Sequence, residues 1–201
     1  MGSQPLRGPI EIGPMRTVRG KMATMPEELD KLLSRATQAR REHRLEDARR
    51  DLVAAVEIGR RAGGGQQLAK GLAGLGQIER DLGHLERARR HYEEACAIYR
   101  NEGDALLVAH TVRHLGDICR EEGRLDLAEP CYTEALAIYR GDGATAPLDL
   151  ANAIRGLALL KEKVGESAQA RLLWQEVRDL YAAVNVEAGV AESTRRLAVL
   201  G

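Results

Sequence analysis

Apolar residues recur at i, i+4 and i+7 along most of the chain, and the same sets return at intervals of 40 to 42 residues. Leu68-Ala69 with Leu72, Leu75 and Gly76 is followed by Val108-Ala109 with Val112, Leu115 and Gly116. Leu150-Ala151 with Ile154, Leu157 and Ala158 comes next, and Val190-Ala191 with Thr194, Leu197 and Ala198 restarts the set near the C-terminus. Each set marks one face of an amphipathic helix. A second motif follows each of the first three sets. It runs from Gly83 through Ala88 and Tyr92 to Ala95, then from Gly123 through Ala128 and Tyr132 to Ala135, with Gly165, Ala170, Trp174 and Val177 in register. A degenerate copy precedes them, carrying Ala48, Leu52 and Ala55. A fixed period of this length is the signature of stacked repeats.

Each unit therefore reads as helix A, a tight turn, helix B and a loop. The turn glycines Gly83, Gly123 and Gly165 suit a left-handed position that ends a helix. Gly76, Gly116 and Ala158 on helix A, with Ala88, Ala128 and Ala170 on helix B, allow close approach. The large residue at Tyr92, Tyr132 or Trp174 fills the space they leave. The first unit departs from the pattern, with His43 in place of the turn glycine and Leu52 in place of the aromatic. Those losses suit a terminal cap. Residues 1–25 carry Pro5, Pro9 and Pro14 and no helical period, so they are expected to be a flexible arm or an appended leader. The repeats are expected over 28–67, 68–107, 108–149 and 150–189, with a capping helix over 190–200.

A leucine and a small residue on helix A, a turn glycine, then Ala, an aromatic and Ala on helix B resemble the tetratricopeptide repeat. The common unit is about 34 residues. The longer spacing here, with the run Ala128-Glu129-Pro130-Cys131-Tyr132, is similar to the extended unit of kinesin light chains. The resemblance implies an all-α, right-handed superhelical solenoid of about four antiparallel helix-turn-helix hairpins plus a C-terminal capping helix. It also implies a concave wall made of A helices, and a role in binding other proteins rather than in catalysis.

Aligned by the period, one wall position reads Ala73, Arg113, Arg155, Arg195. The position three residues earlier reads Lys70, His110, Asn152, Glu192, and the one just after the arginine reads Gly74, His114, Gly156, Arg196. With Gln77 and Asp117, these residues form the expected partner-binding groove: Lys70, Gln77, His110, Arg113, His114, Asp117, Asn152, Arg155 and Arg195. A ladder of guanidinium groups suits carboxylates, so an acidic segment or C-terminal carboxylate is the expected ligand. The wall is similar in kind to the carboxylate-binding wall of co-chaperone tetratricopeptide domains. Internal pairing competes with that reading, because Asp117 stands four residues after Arg113. A structural, self-associating protein, its groove filled by its own arm or by another subunit, is the alternative.

His110 and His114 have a metal-ligand spacing, but Arg113 between them opposes a dication, so no metal and no cofactor is expected. Cys96, Cys119 and Cys131 show no zinc-like spacing and read as core thiols in a reducing, cytoplasmic setting. Thirty basic residues balance thirty acidic ones, which argues against general nucleic-acid or membrane-surface binding. No nucleophile elbow or phosphate loop is present, so the chain does not read as an enzyme. The apolar tail from Leu197 to Leu200 is expected either to dock on the preceding hairpin or to support a homodimer.

Overall fold

The computed structural model describes residues 25–201, so the expected arm lies, apart from Met25, outside the described residues. Those residues form nine α-helices: α1 (Met25–Arg41), α2 (Leu45–Arg61), α3 (Gln66–Asp81), α4 (Leu85–Glu102), α5 (Ala105–Glu121), α6 (Leu125–Gly141), α7 (Pro147–Lys163), α8 (Ser167–Ala183) and α9 (Glu187–Leu200). The odd-numbered helices are the A helices and the even-numbered ones the B helices. Each helix packs on its sequence neighbours, and α1 also touches α3, as α5 touches α7. Together they make the solenoid that the period implies. Each A helix from α3 onward starts two or three residues before the first periodic apolar residue.

The turns obey one rule despite different residues. Gly83, Gly123 and Gly165 have φ of 82°, 79° and 82°, and His43 is held in the same left-handed turn at φ 58°. A histidine there costs roughly 1–2 kcal/mol of local strain.

Large and small residues interlock in the core. Ala88, Ala128 and Ala170 are fully buried, as are Tyr92, Tyr132 and Trp174. A Cβ on Gly76 would lie 2.7 Å from the Tyr92 ring, and one on Gly116 3.1 Å from the Tyr132 ring. Helix A thus presses its backbone onto the aromatic of its own helix B. Cys96 and Cys119 are buried and Cys131 is half-buried. Burial raises all three thiols, Cys131 to about 11, which keeps them protonated and unreactive near neutrality.

Charge adds a second repeat on the outer layer. Arg60 bonds Glu94 at 2.9 Å, Arg100 bonds Glu134 at 2.6 Å and Arg140 bonds Glu176 at 2.9 Å. Each pair ties a B helix to the next B helix. Between α2 and α3, Arg49 of the B helix holds buried Glu79 at 2.6 Å; between α6 and α7 the signs are reversed, and buried Lys161 of the A helix holds Glu129 at 2.7 Å. The outer pairs are half exposed and worth little individually. Arg100→Ala is expected to cost less than about 1 kcal/mol in urea unfolding; a loss above about 2 kcal/mol would show that the ladder carries more.

At the C-terminus, Leu197 and Leu200 dock back against the core beneath α8. Val199 remains 86% exposed.

Candidate functional site

The wall of A helices is built around one buried carboxylate. Asp117 of α5 accepts from the Tyr132 hydroxyl at 2.7 Å, from Arg80 Nη1 at 3.3 Å and from Arg113 Nη1 at 3.3 Å. Arg120 Nη2 stands 3.8 Å away, and Arg120 Nε donates to the Tyr132 hydroxyl at 3.2 Å. Glu121 also accepts from Arg80. Three guanidinium groups, on Arg80, Arg113 and Arg120, therefore share two carboxylates, leaving one formal positive charge at the centre of the wall. The Arg80 charge is held well above the usual arginine range because its carboxylate partners outweigh the cost of burial.

The expected arginine ladder is present in register but not as three free groups. Arg113 is buried, at 8% exposure, between Asp117 and His114, whose Nε2 lies 2.8 Å from Arg113 Nη2. Arg155 is gripped in both directions by Glu192, at 2.6 and 2.7 Å. This contact raises Arg155 and lowers Glu192. Arg195 is exposed beside that pair, and Lys70 is exposed on α3. Asn152 accepts from the Tyr181 hydroxyl at 2.8 Å. Gln77 accepts weakly from Tyr92 at 3.4 Å and donates to Asp81 at 2.8 Å.

The position just after the arginine is not open wall. Each of its residues lies on the B-helix bulk of the preceding repeat. A Cβ on Gly74 would meet Leu52 at 2.7 Å, and one on Gly156 would meet the Tyr132 ring at 2.4 Å. His114 stacks on Tyr92 with ring centroids 5.0 Å apart and planes 9° apart. The Arg196 guanidinium lies over Trp174 at 6.0 Å. The reciprocity of large B and small A residues was the available signal, because this position falls on the margin between two faces of one helix. Arg80 and Arg120 were likewise missed, although Arg40 pairs with Asp81 at 2.7 Å just as Arg80 pairs with Glu121, one repeat apart.

His110 and His114 meet edge to face, with centroids 4.7 Å apart. Burial first, then Arg113, depresses both; His110 falls to about 4. Asp149 and Asp117 oppose that shift at His110, while Arg80 and Arg40 reinforce it at His114. His91 is also lowered by burial. Below the unfolded value near 6.5 the unfolded chain binds protons that the folded chain refuses, so stability rises with pH and is lost on acidification. His110 and His114 should each cost up to about 1.4 kcal/mol per pH unit below that value, until the folded pKa is reached. The urea midpoint should therefore fall between pH 7 and pH 5.5, and fall less in His110→Gln; equal midpoints in the native chain would contradict the burial account.

The tetratricopeptide repeat family model matches residues 28–101 and 104–183. No curated protein matches the sequence significantly. Among solved structures, BtubC (BKLC) from P. vanneervenii is 22% identical with a TM-score of 0.73, over 82% of this chain and 67% of that one. Aspartyl phosphate phosphatase F from Bacillus subtilis is 14% identical with a TM-score of 0.78, over 89% of this chain. This chain spans only 46% of the phosphatase chain. Kinesin light chain TPR-like repeats from Podosopora anserina are 16% identical with a TM-score of 0.71, over 89% and 87% of the two chains. At these identities the likeness concerns the fold. No helix among the described residues is long and apolar enough to cross a membrane.

Proposed function

This chain belongs to the tetratricopeptide repeat family, and we propose that it works as a protein-interaction adaptor, not an enzyme, holding an acidic segment or carboxylate of a partner on its A-helix wall. The observation that carries the reading is the charge imbalance around Asp117, where three arginines share two carboxylates. Lys70 and Arg195, exposed at either side, extend the cationic strip. Arg155, 37% exposed in its side chain, is already held in one orientation by Glu192. A partner carboxylate that joins this pair meets a guanidinium whose ordering cost has been met by the fold.

A fluorescein-labelled decapeptide of glutamate tests this by anisotropy. Binding should weaken as salt rises. It should weaken by about tenfold in the Lys70→Glu/Arg195→Glu variant, a loss of about 1.4 kcal/mol, with circular dichroism unchanged because both residues are exposed. Affinity unmoved by salt and by both substitutions would refute the acidic-ligand assignment. Self-association through α9 is the second reading, favoured by the exposure of Val199; light scattering would then show a mass that grows with concentration and reverts in Val199→Glu.

A further inference from the structure

The same steric slot recurs along the wall, and between α1 and α3 it is filled only in part, by Leu52 pressed on Gly74. Between α3 and α5 the slot is plugged by the Tyr92 ring, by the His114 ring stacked on it, and by the Arg80–Asp117 pair above them. One repeat earlier, between α1 and α3, the corresponding residues are Leu52, Gly74, Arg40 and Gln77. A phenol and an imidazole have been replaced by an isobutyl group and a hydrogen. The result is a notch of about 280 Å³. Its floor is apolar, made by buried Ala36, Leu52 and Ile78, with the Gly74 backbone at one side. Its rim is polar and includes Gln77 and Arg41. Arg41 is exposed and makes no ion pair among the described residues, whereas its neighbour Arg40 is taken by Asp81.

An apolar void of about 150 Å³ already accepts a benzene-sized group, so this notch has room for a whole side chain. We infer that the notch is a specificity pocket that receives one large apolar side chain of the partner, with a carboxylate next to it in the partner's sequence facing Arg41. The inference rests on the acidic-segment reading and adds to it the residue that sets register. Apolar burial supplies the affinity at the notch, and the exposed Arg41 charge selects what flanks it. The adjoining hollow past the end of α1, lined by Arg40, Arg41, His43, Leu45 and Asp81, gives the flanking chain a place to run.

Two labelled peptides test this on the full chain: Glu-Glu-Asp-Leu-Glu-Asp-Glu and the same peptide with serine in place of leucine. The native chain should bind the leucine peptide about tenfold more tightly, the effect of burying part of one aliphatic side chain. The Leu52→Tyr/Gly74→His variant copies the plugged slot of the next repeat and should bind both peptides equally, at the affinity of the serine peptide. Equal binding of both peptides by the native chain would overturn the pocket and leave the acidic wall standing; failure of both peptides to bind would overturn the two together. Should the double variant not fold, a photo-leucine peptide on the native chain should cross-link to residues 36–41 and 74–78. Cross-links confined to other segments would overturn the assignment.

Discussion

Replacing Asp117 with asparagine is expected to lower stability by about 3–5 kcal/mol, the cost of stripping a partner from buried charges. The substitution keeps the shape and an acceptor for Tyr132, so packing is not the cause. What disappears is the negative charge that Arg80 and Arg113 both touch at 3.3 Å and that Arg120 approaches at 3.8 Å. Arg80 keeps Glu121, but Arg113 is left buried beside a neutral histidine. Urea unfolding measures the loss, and hydrogen exchange in α5 places it, since a repeat array need not unfold in one step. Adding Arg113→Gln should recover part of the stability, because it removes the stranded charge. A loss below about 1 kcal/mol would mean that water or rearrangement compensates the guanidinium groups, and that the cluster is not a structural hub.

Tyr132→Ala should cost as much, about 3–5 kcal/mol. The ring is fully buried, and both Gly156 of the next repeat and Gly116 of its own hairpin press on its Cδ1 and Cε1 atoms. Neither glycine has a side chain that could move into the vacated space, so the cavity stays. Tyr132→Phe separates the two contributions. It keeps the ring but takes the 2.7 Å donor from Asp117, and should cost about 1–3 kcal/mol, the penalty for one unsatisfied buried acceptor. A double-mutant cycle with Asp117→Asn should show coupling of about 0.5–3 kcal/mol between the two residues. Additive losses would mean that ring packing and the charge hub are independent.

Much of this architecture was legible because steric demand repeats with the chain. The turn glycines, the small residues and the aromatics sit where the period puts them, and even His43 takes the left-handed turn that its position requires. What lateral neighbours do was harder to read. A helical wheel for α5 places His114 at the edge of the wall; it does not show that Tyr92, 22 residues earlier on α4, stacks on its ring. The arginine ladder was visible as a pattern, yet its electrostatics depend on partners contributed from elsewhere. Glu192 reaches Arg155 from α9, and Arg80 reaches Asp117 from α3. The i,i+4 rule named Asp117 for Arg113, and the contact is there. It could not show that the same carboxylate serves three cations. The notch beside Gly74 was hidden for the opposite reason, since its meaning lies in what two positions lack relative to the next repeat.

Amide hydrogen exchange of the full chain, with and without the leucine-containing acidic peptide, tests the central claim that the A helices form the binding face. The account predicts slower exchange in α1, α3, α5 and α7 and no change along the outer B-helix ladder of Arg60, Arg100 and Arg140. Protection confined to α2, α4, α6 and α8, while the peptide is bound, would contradict it.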